Sequence, residues 1–318
     1  MFESESIQGD RKRMARQLYK GIFPIVPTAF DEDGNIDEAS QLRAAEFLID
    51  AGVQGYCILA NFSEQLALSD DEREYLTDLL IAHARGRVPV IVTTSHYSAK
   101  VAADRSRKAE EAGAAMVMLM PPYHGTIRPD DASIFAFFKT VSEAISIPIM
   151  IQDSPVSGIN LSAALLARLA SELENVRYFK IESAGAAVKL RQLIAAAGSY
   201  VDGPFDGEEG ITMMADLDAG ATGTMPGGIV PEVLVDVFNR YQAGDRDGAI
   251  ALYERFLPLI NYENKLCGLR ATKALMKEAG IIKSEAVRAP TAPLDPSIRA
   301  GLVEMARRLN PLIVRYGR

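Results

Sequence analysis

The sequence predicts a single (β/α)8 barrel carrying a C-terminal helical extension. Three observations point there: eight short apolar segments, amphipathic stretches between them, and unusual polar residues gathered just after the apolar segments. The strand candidates are residues 22–26, 55–59, 88–93, 115–120, 147–151, 177–181, 200–205 and 222–225. Their regular alternation with helical patterns is the signature of a parallel sheet closed by crossovers. Residues 1–20 read as a polar N-terminal extension, 21–230 as the barrel, and 231–318 as C-terminal helices that include the last barrel helix.

Each element has a local reason. Ser69-Asp70-Asp71-Glu72 opens a helix as a capping box, the serine accepting from a backbone amide and the glutamate reaching back. After the eighth strand, residues 231–242, 247–261, 267–279 and 298–309 carry helical periodicity, more than one crossover requires. The proline-rich stretch 287–296 cannot continue a helix; Asp295 is placed to cap the last one and Pro296 to open it.

Composition narrows the function. The 318 residues, 48% hydrophobic and 24% charged, suffice for one large core. A net charge of −8 argues against a nucleic-acid partner, which selects basic faces. Only Cys57 and Cys267 occur, in no metal-ligand spacing, so neither a zinc site nor a disulfide framework is expected, and a reducing cytoplasm is the expected compartment. The first residues lack a signal-peptide apolar stretch and no apolar run is long enough to span a bilayer, so no membrane association is expected.

Barrel chemistry belongs to the loops at the carboxyl ends of the strands. Lys180 stands near the end of the sixth strand segment, and a primary amine there can form a Schiff base with a ketone. Burial is expected to keep that amine neutral. Glu182, two residues on, shares its face and is a candidate acid or base. After the other strands come Ala60-Asn61-Phe62-Ser63-Glu64, a stretch with His96, Pro121-Pro122-Tyr123-His124 and Gln152-Asp153-Ser154-Pro155. Asn61 and Gln152 suit hydrogen bonding to substrate hydroxyls or water. His96 and His124 are candidate contacts, whereas His83 falls in a helical pattern. The carboxylates of Asp206-Gly207-Glu208-Glu209 read as helix N-terminal acids rather than metal ligands. The glycine-rich 220–228 stretch matches neither a dinucleotide fingerprint nor a P-loop.

Four landmarks together resemble the pyruvate-dependent Schiff-base lyases and aldolases of the dihydrodipicolinate synthase and N-acetylneuraminate lyase family. They are Phe23-Pro24-Ile25-Val26-Pro27-Thr28-Ala29-Phe30 with Asp33 to Asp37 following, the Ala60 to Glu64 turn, Pro121-Pro122-Tyr123, and Lys180. The resemblance runs from about Gly21 to the end. It implies Lys180 as the imine-forming residue, Tyr123 as a proton shuttle, Phe62 and Ser63 as carboxylate binders through backbone amides with help from the Ser63 hydroxyl, and Thr224 and Met225 as pocket walls. It implies no metal and no organic cofactor, and a homo-oligomer, tetramer or dimer.

Departures refine the expectation. Family members that condense pyruvate with an aldehyde use a threonine and a tyrosine where this chain has Asn61 and Gln152, and the loop after Pro155 lacks their arginine. The motif combination instead is similar to the branch acting on L-2-keto-3-deoxyarabonate, which implies dehydration to 2-oxoglutarate semialdehyde. Retro-aldol cleavage of a 2-keto-3-deoxy sugar acid, dehydration of 5-keto-4-deoxyglucarate, and a non-catalytic keto-acid-binding barrel are the alternatives.

Overall fold

A computed structural model describes residues 17–316. Most of the expected N-terminal extension, residues 1–16, lies outside the described residues. Eight parallel strands follow one another around a barrel in the order β1-β8-β7-β6-β5-β4-β3-β2. They are β1 (Gly21–Ile22), β2 (Tyr56–Ile58), β3 (Val90–Thr93), β4 (Met116–Leu119), β5 (Ile149–Asp153), β6 (Val176–Ile181), β7 (Gly203–Asp206) and β8 (Gly223–Thr224). The seam between β1 and β2 is closed by the parallel bridge Ile25↔Cys57, with Val26 N donating to Cys57 O at 2.9 Å.

Eight helices accompany the strands: α1 (Glu38–Asp50), α2 (Asp70–Ala84), α3 (Ala99–Ala112), α4 (Asp131–Ser142), α5 (Ala163–Glu172), α6 (Ala186–Ala197), α7 (Met213–Asp218) and α8 (Pro231–Gln242). Their starts are set by short polar caps. Ser69 and Glu72 make both bonds of the capping box, and Asp37, Asp130 and Ser162 each accept from an amide in the first turn of α1, α4 and α5. Each such cap is worth about 1 kcal/mol. Four more helices follow: α9 (Arg246–Tyr262), α10 (Arg270–Glu278), α11 (Pro296–Leu309) and α12 (Leu312–Arg315). Asp295 caps α11 by accepting from Ser297 and Ile298 amides. The expected helix over 267–279 begins later than its periodicity suggests, because a single π turn, Glu263–Cys267, joins α9 to α10. Among the described residues no helix is long and apolar enough to cross a membrane.

Two cores divide the molecule. The larger lies between strands and helices, while a smaller one fills the barrel with Phe23, Ile25, Cys57, Ile91, Met116, Met118, Met150, Tyr178, Phe205 and Met225. Phe23 and Phe205 meet edge-on at 5.6 Å within this inner core, and the upper layer, at the carboxyl ends of the strands, is where a barrel places its functional side chains.

Candidate functional site

A register shift decides what stands in that upper layer. Ile149 pairs with Val176 but Met150 pairs with Tyr178, so β6 skips Arg177. The bulge resets the side-chain alternation. Val176, Phe179 and Ile181 pack into the outer core while Tyr178 belongs to the inner one. Lys180 follows Tyr178 inward, 4% exposed, directly beside Gln152 in the β5–β6 pairing. Its Nζ lies 2.9 Å from Glu182 Oε1, which also accepts from Gln152 Nε2 at 2.6 Å. The other Gln152 atom, Oε1, is buried with no hydrogen-bond partner among the described residues. A buried carbonyl oxygen left open in a polar layer is placed to accept from a hydroxyl or a water. Gly207, after β7, makes this packing possible: a Cβ there would collide with the Cγ atoms of Glu182 and Lys180.

The charge state differs from the sequence expectation. Burial, the largest single influence, pulls the Lys180 pKa down, but the carboxylates of Glu182 and then Glu209 together outweigh it and leave the amine above its ordinary value. The resting side chain is an ammonium ion paired to Glu182, because an attractive carboxylate at contact distance is stronger in a low-dielectric pocket.

Glu209 is not among the site candidates that the sequence offers. Its motif reads as helix N-terminal acids, yet α7 does not begin until Met213. Glu209 sits in the left-handed region at φ 52° and accepts through Oε2 from Asn264 Nδ2. Burial, reinforced by the charge of Glu182 and offset by Lys180 and by the Asn264 bond, pushes its pKa up to about 7. The available signal was the position of Asp206-Gly207-Glu208-Glu209 at the carboxyl end of a barrel strand; Asn264, in the extension, carried no motif. Asp206 faces the helix layer, accepting from Thr224 Oγ1 and from Glu208 N.

The Ala60–Glu64 turn folds as a 3-10 helix over Asn61–Ser63. Here Ser63 departs from its expected role. Its hydroxyl donates to Val26 O at 2.7 Å and its amide to Ala60 O at 2.9 Å, so both groups brace the turn. Thr28 Oγ1 donates to Ser63 O at 2.6 Å from the opposite side. The amides of Asn61 and Phe62, in the first turn of a 3-10 helix, have no intrahelical acceptor. Phe62 is half-buried and packs on the inner core, while Asn61 Oδ1 accepts from Gln65 Nε2 at 2.6 Å.

The remaining candidates divide. Met225 belongs to the inner core, but the Thr224 hydroxyl is taken by Asp206. Tyr123, His96 and His124 line a separate cavity of about 350 Å³ with Gln65, Arg73 and Arg105. Burial raises the Tyr123 pKa, keeping the phenol protonated. His96 is exposed, its Nδ1 accepting from Ser98 N at 2.9 Å, and the His124 ring packs against Tyr97. His83 contacts Glu46 on the outer surface at 2.8 Å.

Residues 18–309 match the model of the dihydrodipicolinate synthetase family. A protein of Azospirillum brasilense named L-2-keto-3-deoxyarabonate dehydratase is 56% identical over 299 residues, 94% of this chain and 97% of that one. A 4-hydroxy-tetrahydrodipicolinate synthase of Nitrobacter hamburgensis is 31% identical, covering 89% and 94%. Among solved structures, the dihydrodipicolinate synthase of Rhodopseudomonas palustris superposes with a TM-score of 0.83 at 30% identity, over 91% of this chain and 97% of that one. By its sequence, its barrel and its strand-borne lysine, the chain belongs to the dihydrodipicolinate synthetase family.

Proposed function

We propose that the protein is a Schiff-base hydro-lyase that converts L-2-keto-3-deoxyarabonate to 2-oxoglutarate semialdehyde and water. The observation that carries this reading is the buried triad of Lys180, Glu182 and Gln152 in the upper barrel layer, in a chain 56% identical to a protein named for that substrate.

The charge arrangement supplies the first step. As the substrate enters, Glu182 takes one proton from the Lys180 ammonium across 2.9 Å, leaving a neutral amine to attack the C2 ketone. The carbinolamine loses water, which needs a proton donor, and gives a protonated imine. That imine is an electron sink, so a carboxylate removes a C3 proton and an enamine forms. The enamine electrons then expel the C4 hydroxyl, which leaves as water on taking a proton. Loss of a C5 proton from the conjugated imine gives an enol; its tautomerisation and hydrolysis of the imine release the aldehyde and free Lys180. One water is consumed in that hydrolysis and one was released in imine formation, so the net product is the single water from C4.

Dehydration needs an acid near the leaving hydroxyl, whereas retro-aldol cleavage needs a base there. Glu209, with a pKa pushed to about 7, is protonated often enough at neutral pH to be that acid. Gln152 Oε1 supports a substrate hydroxyl or the departing water, and the Asn61 and Phe62 amides support the substrate carboxylate. Tyr123 serves at the rim as a neutral phenol. His96 is assigned an outer contact at most, and the covalent imine on Lys180 makes a metal or organic cofactor unnecessary. The enzyme works on a small keto acid in the cytoplasm, in pentose catabolism, as a homotetramer or homodimer; the buried unpaired cysteines, Cys57 and Cys267, suit a reducing compartment.

The test is incubation of the purified protein with L-2-keto-3-deoxyarabonate, borohydride reduction and mass spectrometry. An adduct on Lys180 with 2-oxoglutarate semialdehyde as product is expected. Pyruvate with glycolaldehyde would make the enzyme an aldolase, and no adduct or turnover would refute this substrate.

A further inference from the structure

The C-terminal helices reach the active site at a point where their own geometry is irregular. Helix α9 ends in the π turn Glu263–Cys267. Such widened turns are rare in α-helices and are found frequently at functional sites. The widening sends two consecutive side chains toward the barrel. Glu263 is 1% exposed and packs so closely against the loop after β8 that a Cβ on Gly227 would collide with its carboxylate, while Thr272 Oγ1 donates to it at 3.3 Å. Asn264, half-exposed, gives its amide to Glu209 Oε2.

Glu209 needs such a partner. A non-glycine residue in the left-handed region costs roughly 1 kcal/mol and is retained only where its surroundings hold it. With Oε2 taken by Asn264, the remaining oxygen of Glu209 is the one left to exchange a proton. We infer that Asn264 is a positioning residue: the π turn presents its amide to Glu209, fixing the carboxyl group with one defined oxygen toward the Lys180 layer. The inference rests on Glu209 acting in proton transfer, as proposed above. A direct consequence is that the helical extension completes the acid side of the site, although none of its residues stands in the barrel.

The experiment compares full-length Asn264→Ala, Asn264→Asp and Glu209→Gln with the parent protein, following kcat and KM for L-2-keto-3-deoxyarabonate across pH and measuring Tm. An amide bonded to a carboxylate favours its charged form. Asn264→Ala is therefore expected to move the kinetic ionisation of Glu209 upward by roughly one pH unit and to lower kcat by about tenfold, with KM and Tm little changed. Asn264→Asp, placing a second carboxylate there, moves it further in the same direction. Glu209→Gln is expected to remove that ionisation from the profile. If Glu209→Gln removes it but both Asn264 variants keep the parent profile and kcat, the positioning role is overturned and the role of Glu209 stands. If Glu209→Gln itself leaves profile and kcat unchanged, Glu209 is not the acid and both readings fall.

Discussion

Among the described residues, two lysine–glutamate pairs bury their lysines, and the two behave oppositely. Lys180 with Glu182 stands inside the barrel; Lys273, on α10, pairs with Glu64 at the end of the Asn61–Ser63 turn. Both lysines are nearly inaccessible, at 4% and 1% exposure. Yet burial leaves Lys273 below its ordinary pKa, with Glu64 opposing and Arg288 adding to the effect, while the several carboxylates around Lys180 raise it. Their valencies differ too. Lys273 donates to Glu64 and to Ala286 O at 2.6 Å and faces the Phe30 ring at 4.5 Å. Arg288 covers that ring at 4.3 Å, and its backbone amide takes the second oxygen of Glu64. Around Lys180, by contrast, Gln152 Oε1 is open and Glu209 titrates near neutrality. Burial alone therefore does not mark a reactive lysine; an excess of acids and an unfilled hydrogen-bond site do.

The sharpest way to break this comparison is to remove each amine. Lys180→Ala should abolish borohydride trapping and reduce turnover to background, with Tm within a few degrees of the parent, because Glu182 keeps its Gln152 bond and, at 13% exposure, reaches solvent. Lys273→Met should do the reverse. It leaves Glu64 charged and unpaired in the interior, costing about 3–5 kcal/mol, a Tm loss on the order of 10 °C, while surviving folded protein still traps substrate. Equal destabilisation by the two substitutions, measured by calorimetry, would erase the distinction.

Between those extremes lies Gly207. Its Cβ would press on both Lys180 and Glu182, so Gly207→Ala should displace the pair while sparing the fold. A displacement approaching 1 Å costs about a hundredfold in kcat. Steady-state kinetics that leave kcat within a factor of about three would show that the pair tolerates movement.

How far this was legible from sequence differs from residue to residue. The eight strands, the capping box at Ser69 and the helix start at Asp295 follow from local patterns, because period and caps are properties of neighbours in the chain. Lys180 and Glu182 were readable as a same-face pair for the same reason. The bulge that turns them inward was not, since it depends on the register between β5 and β6. The raised pKa of Lys180 is not legible in the sequence, because whether the carboxylate of Glu182, and then that of the distant Glu209, outweighs burial depends on distances set only once the barrel closes. The sequence suggests the Ser63 hydroxyl as a help in carboxylate binding, but it donates instead to the carbonyl of Val26, a contact far along the chain that no local pattern shows.

pH offers a gentler probe of the acid cluster. Glu209 has a folded pKa raised to about 7 from an ordinary value of 4.5. A raised acid contributes stability that is fully present below about 4.5 and is lost as pH climbs through about 7, at most about 3 kcal/mol for this shift. Glu209→Gln should flatten that part of the stability–pH curve in denaturant titrations at several pH values. An unchanged slope would show that Glu209 is not held in its neutral form by the fold.

The smallest effect is expected at Tyr123, and it separates the inner layer from the rim. Its cavity is lined by His96, His124 and Gln65, with no share in the bonds that join Lys180, Glu182 and Gln152. The phenol is kept neutral by burial, so it can donate or relay a proton but cannot serve as a resting base. Tyr123→Phe should consequently lower kcat by less than about tenfold, whereas Glu209→Gln, removing a positioned acid, should cost about a hundredfold or more. The two substitutions also differ in pH dependence: Tyr123→Phe should keep the ionisation near 7, because the group responsible is untouched. If Tyr123→Phe instead costs as much as Glu209→Gln, the catalytic proton passes through the rim cavity, and the Lys180 layer is only half of the site.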